Sequence, residues 1–407
     1  MKTIKKIINN ENLFVYLLAL ILSTLFIGYA PSSIGTGIFI FLSVVYLIIN
    51  KTNIVFSKPL ILLIVLYVFL ALTYFWTIDI PLTKRGISRL ITMALIPLAF
   101  HFIPLFKKNQ ALKVVKYFSI SNVLYALFFL LYATYSFILT KDKDVFFYHD
   151  LVKILDLNAI YASVFFSTSL MYFLFKKQKS IFDKFSILIL SLSVILLSSK
   201  LIILIDTLFV LTVFMISKKN INIEKSKLII VSVIGIVILF FALSKLYERF
   251  ETESKFTKIE EVLTKEKFNK VYMWTGTSFR LFQLRLLKEQ IEEDNIFWKG
   301  FGLFASRVDL EKKHKSYNTY KGFYTYNYHN QYAQIMAESG IIGFLILIIF
   351  LFLNFKNAYL SLNYTFIYIS FILIVTFFTE SFLWVQRGLI FTTIFTSLFN
   401  RTKFTTD

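Results

Sequence analysis

His329 is the residue best placed to move a proton. It stands in Tyr328-His329-Asn330-Gln331, where a long polar stretch gives way to an apolar run that continues through Glu338-Ser339-Gly340-Ile341-Ile342-Gly343. An imidazole with an ordinary pKa of about 6.5 can accept a proton from a hydroxyl near neutrality. If a helix begins near His329, positions 329, 336, 340 and 343 fall within about 60° of one another, because each residue turns about 100°. That face carries the imidazole, Met336 and two glycines. Gly340 and Gly343 are expected to let a neighbouring membrane helix approach closely, and a helix N-terminus favours neutral imidazole and can hold an anion. A helix-capping histidine above a packing motif has the same spacing.

Fixed cations are the second ingredient. Lys200 separates two apolar runs, Lys84, Arg85 and Arg89 crowd one connection, and Arg280, Arg285 and Arg307 lie in the long polar stretch. Singly, each also reads as interfacial snorkelling or lipid-headgroup contact. As a group they point to an anionic ligand. Five tyrosines between Tyr317 and Tyr328 accompany Asn318 and Asn327, directly before His329. Tyr324, Tyr326, Asn327, Tyr328 and Asn330 suit stacking on sugars and hydrogen bonding to hydroxyls, although an interfacial aromatic belt has the same composition.

These residues must be held by membrane helices. The 407 residues are 57% hydrophobic with a mean hydropathy of +0.69, too apolar for a soluble domain of this length. Cysteine is absent, which excludes disulfides and Cys-bound metal. The net charge of +20 needs no nucleic acid partner, since basic cytoplasmic loops produce it in a membrane protein. At the N-terminus three lysines precede the first apolar run without a cleavage site, which reads as a retained signal-anchor helix.

Runs long enough to span a bilayer are expected at 13–30, 34–50, 59–76, 88–106, 117–139, 157–175, 183–199, 201–217, 228–246, 331–353, 358–378 and 383–399. Lys200 then tops a tight hairpin. Lysines cluster in every second connection: Lys2, Lys5 and Lys6; Lys51 and Lys58; Lys107, Lys108, Lys113 and Lys116; Lys176, Lys177, Lys179 and Lys184; Lys218, Lys219, Lys225 and Lys227; Lys356; then Arg401 and Lys403. The positive-inside rule places both termini in the cytoplasm and the long polar stretch outside. The expected fold is an all-α polytopic integral membrane protein of about 12 transmembrane helices. Residues 1–246 supply helices one to nine, 247–328 one large, mainly helical periplasmic loop, and 329–407 helices ten to twelve.

Within the loop, Lys255 to Lys270 and Ser278 to Glu293 read as amphipathic helices, the second with Leu281, Leu284, Leu287 and Ile291 on one side. Asp142, Asp144, Asp150 and Asp156 surround His149 but are nearly balanced by Lys141, Lys143 and Lys153, as in a solvated surface loop. Asp206, Glu380 and Arg387 are costly if they face lipid and are expected to turn inward, Glu380 pairing with Arg387 and Asp206 with Lys200. No Gly-rich nucleotide loop or metal-ligand spacing is present, and the Pro31-Ser32-Ser33 connection has no carboxylate. A metal-independent chemistry without cofactors is the simpler expectation.

The string His-Asn, nine residues, Gly, two residues, Gly resembles the signature of the O-antigen ligase and Wzy-type polymerase family of bacterial glycan transferases. Thr277-Ser278-Phe279-Arg280, Gly300-Phe301-Gly302 and His329-Asn330 follow in the order of the family's landmarks. Leu197-Ser198-Ser199-Lys200 looks like its Ser-Arg hairpin, with Lys where Arg is expected; the charge stays and the bidentate fork is lost.

The resemblance implies a GT-C-like fold in the bacterial inner membrane that moves an undecaprenyl-pyrophosphate-linked glycan to an acceptor hydroxyl at the periplasmic face. Arg280 would hold the leaving pyrophosphate, assisted by Lys200, Arg85 and Arg89, and His329 would deprotonate the acceptor. The intact motif favours a ligase with a lipid A-core acceptor. A polymerase or a protein O-oligosaccharyltransferase are the family alternatives, and nothing in the residues reads the sugar, the acceptor or the oligomeric state. A transporter of lipid-linked glycans would explain the outer cations without catalysis, but the chain lacks the paired broken helices of that class.

Overall fold

The computed structural model describes residues 8–10, 12–51, 54–217 and 251–404. The helix expected at 228–246, the domain boundary at 246/247 and the lysines at 2–6 and 218–227 lie outside these residues.

Helices dominate. They are α1 (Leu13–Ser23), α2 (Tyr29–Asn50), α3 (Lys58–Leu72), α4 (Ile80–Leu90), α5 (Thr92–Phe102), α6 (Lys108–Thr140), α7 (Tyr148–Val152), α8 (Ala159–Phe175), α9 (Ile181–Leu196), α10 (Lys200–Ser217), α11 (Ile259–Thr264), α12 (Gly276–Glu293), α13 (Ser306–Ser316), α14 (Gln331–Leu360), α15 (Tyr364–Thr376) and α16 (Gln386–Asn400). Among the described residues four helices are long and apolar enough to cross a membrane: Tyr29–Asn50, Lys58–Phe75, Lys108–Thr140 and Gln331–Leu360. A fifth is added if the pair Tyr148–Leu155 and Ala159–Phe175, bent by 90°, forms one span. The described residues therefore show four or five full-length spans and do not establish twelve. Several apolar runs are interrupted: the run at 13–30 passes into a 3-10 turn and then Gly28 at φ 116°, and the run at 88–106 is split between α4 and α5 and carries Pro97.

Lys200 does open α10 directly after a tight turn, with Ser198 at φ 50°. It pairs with Glu253 and not with Asp206, which instead accepts hydrogen bonds from Ser167 and Tyr368 between α8, α10 and α15. At the opposite end of the bundle from Lys200, buried Arg401 donates to the carbonyls of Val55 (2.6 Å), Phe100 (3.1 Å) and Ile103 (3.2 Å). The chain then pairs in parallel with Phe106 and Lys107 through Thr402 and Lys403.

The helix carrying the signature starts two residues later than the spacing suggests. Asn330 is its N-cap, accepting from the Ala333 amide at 2.9 Å, and His329 lies outside it at φ 46°. The expected His329-Met336-Gly340-Gly343 face therefore does not form. Gly340 also breaks α14, at φ 65° and ψ −164°. The broken ladder is repaired by the loop before α13: the amides of Phe301 and Gly302 donate to the carbonyls of Ala337 and Glu338 at 2.9 Å, and the Ile341 amide donates to Phe297 at 2.7 Å. Irregular backbone at membrane depth survives only when protein satisfies it in this way. The contact leaves no room for side chains. A Cβ on Gly340 would lie 2.4 Å from the Trp298 carbonyl carbon, and one on Gly300 2.3 Å from that of Glu338. Gly343 does admit a helix, with Phe69 of α3 3.5 Å from its Cβ position.

The polar segment has its own core, in which Val262, Phe268, Phe282, Leu286, Ile296, Leu310 and Tyr328 meet Ala333, Met336 and Ala337 of α14. The buried face of α12 is Phe279, Phe282, Leu286 and Leu287. Of the stripe read from spacing, Leu287 is buried and Leu281 and Ile291 pack against the same core, while Leu284 is 42% exposed and the phenylalanines complete the face. The first expected loop helix shrinks to α11 and a helical turn at 251–256.

Candidate functional site

Three segments meet where α14 begins. The turn after α15 exposes successive carbonyls: that of Phe377 accepts from the Gln331 amide (2.7 Å), that of Phe378 from Asn330 Nδ2 (3.2 Å), and that of Thr379 from Arg280 Nε (3.0 Å). Those bonds fix the next residue, Glu380, which is 5% exposed. One carboxylate oxygen lies 3.4 Å from His329 Nδ1 and the other 3.6 Å from Arg280 Nη2. Glu380 thus bridges the two residues that the sequence singled out and does not pair with Arg387.

His329 is held on every side. Its amide donates to Asn327 Oδ1 at 2.8 Å, which supports the left-handed backbone. Its ring stands edge-on to Phe279 and Tyr326, with centroids 5.9 and 5.2 Å away. Arg280 rises from the start of the second turn of α12, whose N-terminus is capped by Thr275 and Ser278. Glu253 ties that start to α10, accepting from the amide (3.1 Å) and hydroxyl (2.6 Å) of Thr277 while pairing with Lys200. Burial pushes the Glu253 carboxyl up, but Lys200 and Thr277 together hold it below the usual carboxylate range.

Two cavities border the Arg280-Glu380-His329 ladder, one lined by its arginine and the other by its histidine and carboxylate. The larger, about 680 Å³, is lined by Lys200 and Arg280 together with Ser198, Ser199, Glu253 and Thr277, and by Asp144 and Asp150 from the loop around α7. The smaller, about 450 Å³, is lined by His329 and Glu380 with Tyr29, His149, Asn158, Asn327 and Arg387. The acidic loop read as a solvated surface thus borders both.

The other expected site residues divide. Tyr326 borders His329. Tyr324 packs under Lys315, 5.7 Å from the ring centre, with its hydroxyl 3.4 Å from the Thr319 carbonyl. Tyr328 is fully buried, its hydroxyl donating to Gln290 Oε1 at 2.7 Å, and burial drives its pKa well above the ordinary value; it is core and offers no open ring. Asn330 is consumed as a helix cap and brace. Arg85 and Arg89 of α4 line neither cavity; Arg89 lies with Arg307 over the Phe304 ring, and the charge of Arg85 reaches Arg307.

Sequence reading left Glu380, Arg387 and His149 outside the site. Arg387 is 6% exposed, donates to the Asp156 carbonyl at 3.1 Å and lies over Tyr29 at 4.9 Å. His149 Nδ1 accepts from the Ala159 amide at 3.3 Å. The available signal was the isolation of Glu380 and Arg387 within apolar sequence.

A bundle of apolar helices with a polar cleft at one end, bordered by a cation, a carboxylate and an imidazole, defines a helical membrane protein with a built polar site. Residues 185–348 match the family model described as O-antigen ligase, so the chain carries a domain of that family over this stretch. The match spans Lys200, Glu253, Arg280, His329, Gly340 and Gly343, and ends before Glu380. It supports ligase- or polymerase-type glycosyl transfer with lipid-linked glycan substrates. No curated protein matches the chain.

Proposed function

We propose that this chain is an O-antigen ligase, transferring a glycan from an undecaprenyl-pyrophosphate carrier to a hydroxyl of a lipid A-core acceptor at the periplasmic face of the inner membrane. The observation that carries the reading is the Arg280-Glu380-His329 ladder bordering two cavities. In it a fixed cation and a potential base face different spaces yet share one carboxylate.

With a proton on Nδ1 held by Glu380, His329 presents Nε2 as an acceptor toward the smaller cavity. There it takes the proton of the acceptor hydroxyl as the new glycosidic bond forms, a contribution of about 10²- to 10⁴-fold for a positioned base. The anomeric carbon has to sit at the edge of the ladder, within reach of both cavities, and the glycosyl–phosphate bond breaks there as the pyrophosphate leaves into the larger one. Arg280 and Lys200 meet the charge that grows on the leaving pyrophosphate, and a charge that grows in the transition state is stabilised more there than in the ground state. The reading includes a twelve-span, GT-C-like topology with both termini cytoplasmic, and a reaction that needs no metal.

The test is transfer by purified protein in detergent, with undecaprenyl-pyrophosphate glycan, lipid A-core acceptor and a chelator in parallel. Product that resists chelation and disappears in His329→Ala and Arg280→Ala, with both variants still inserted, supports a metal-independent ligase. Near-normal transfer by both variants overturns the assignment. Formation of only longer carrier-linked glycan makes the chain a polymerase.

A further inference from the structure

A second cluster of cations stands apart from the cavities. Helix α4 buries Thr83, Gly86 and Leu90 and exposes Lys84, Arg85, Ser88 and Arg89. Its buried face is locked to the 301–305 turn: the Thr83 hydroxyl donates to the Leu303 carbonyl at 2.9 Å, the Leu303 amide donates to Thr73 at 2.9 Å, and Gly86 leaves no room beyond the side chains of Leu303 and Phe304. Phe304 is 1% exposed and sits at φ 62°, a costly backbone for an aromatic residue. Two guanidinium groups lie over its ring, Arg307 at 4.8 Å and Arg89 at 5.9 Å, and the charge of Arg85 also reaches Arg307.

The charges are not balanced by protein. None of the three arginines has a carboxylate within ion-pair distance among the described residues, and the buried Nε of Arg307 has no hydrogen-bond partner. Glu338 is the acidic group whose charge reaches Arg307. Three guanidiniums against one carboxylate leave an excess of two positive charges, and guanidinium does not shed its proton in proteins. A snorkelling arginine holds its head in water; a guanidinium with a buried, orphaned N–H over a buried ring does not. Beside the cluster, Phe75 (79%), Ile78 (51%), Ile80 (50%) and Ile91 (42%) expose large apolar side chains. The cations therefore border a surface suited to acyl chains.

We infer that Arg85, Arg89 and Arg307 form a binding site for the phosphate headgroup of a membrane lipid, separate from the two cavities. A phosphate monoester carries about −1.5 to −2 charges and three acceptor oxygens, which match the uncompensated charge and the unused donors.

The test uses the purified full chain in detergent, titrated with dioctanoyl phosphatidic acid, dioctanoylglycerol and inorganic phosphate, with binding read by thermophoresis. The phosphatidic acid is expected to bind, dioctanoylglycerol not to, and inorganic phosphate to bind at least about tenfold more weakly than the lipid. Arg89→Gln and Arg307→Gln should each weaken the lipid at least about tenfold. Lys312→Gln, which removes one exposed charge from the same helix as Arg307, should leave it unchanged. Arg89 is exposed, so its replacement is no folding lesion. Unchanged binding in both arginine variants, or an equal loss in Lys312→Gln, overturns the site; equal affinity for inorganic phosphate overturns the lipid as its source. The readout is binding, so it is independent of which transfer the chain performs.

Discussion

His329 Nδ1 and Glu380 Oε2 lie 3.4 Å apart, and the same carboxylate reaches Arg280 at 3.6 Å through its other oxygen. The carboxylate is placed to orient the ring and, on the proposed pathway, to put a negative charge next to the imidazolium that would form on deprotonation of the acceptor hydroxyl. Glu380→Gln keeps the shape and removes the charge. It is expected to lower kcat of transfer on the order of 10²-fold or more while the melting temperature stays within a few degrees. An unchanged kcat would remove Glu380 from the mechanism.

Lys200 faces the larger cavity beside Arg280 and is tethered by Glu253. Lys200→Ala removes the cation and leaves the Glu253 carboxylate facing a space proposed for pyrophosphate. Transfer should fall at least about tenfold, with part of the loss in the donor KM. Glu253→Ala in the Lys200→Ala background should recover part of it, because the repelling charge is gone. Steady-state kinetics with varied donor decide the point.

Gly300 and Gly340 interlock. Alanine at either position meets backbone at 2.3–2.4 Å, and both glycines adopt positive φ. Neither the clash nor the strain can be relieved by rotating a side chain, so Gly340→Ala and Gly300→Ala should each cost several kcal/mol. Loss of the monodisperse peak on size exclusion is the expected result. Gly37 has nothing within 4 Å of its Cβ position, and Gly37→Ala should behave as wild type.

His314 is fully buried in the polar segment, with Nδ1 3.0 Å from the Thr319 hydroxyl and Nε2 3.2 Å from Gln283. Burial lowers its pKa to about 4. The unfolded segment, with a pKa near 6.5, binds the proton first as pH falls. The stabilisation is whole above about pH 6.5, declines as pH falls and is spent near pH 4, a span of about 3 kcal/mol. Proteolytic susceptibility of the segment, measured from pH 7 to 4, should rise in wild type through this window and lose that component in His314→Gln.

Arg401 was read from sequence as one of the charges that orient the chain, yet it is 4% exposed and serves three carbonyls from residues 55, 100 and 103. Arg401→Met leaves those carbonyls short of donors and should cost about 3 kcal/mol or more. A thermal shift in detergent checks this.

The comparison between residue pattern and structure is instructive at particular places. Helix existence follows apolar runs, which is why α2, α3, α6 and α14 were legible. Their ends and breaks were not: Gly340 reads as a small residue for helix approach, and only its backbone angle shows that it ends one helical segment and begins another. The tyrosines before His329 were legible as a group, but which ring is core depends on the fold of α12, so burial of Tyr328 left no mark in the spacing. His329 stood out by its place at the polar-to-apolar boundary and Arg280 as one of the outer cations, and the family resemblance supplied their roles. Glu380 was visible as a lone acid in apolar sequence, but its partners depend on a turn that brings distant segments together, and local spacing does not encode that.

The placing of Arg280 on one cavity and His329 on the other has a kinetic consequence. Because Arg280 and His329 line different cavities, a donor seated against the first, as proposed, would leave the second open, and neither substrate would have to depart before its partner arrives. Transfer on the proposed pathway should therefore run through a ternary complex, with initial-rate lines that intersect as the acceptor is varied, and no glycosylated form of the protein should accumulate when acceptor is withheld.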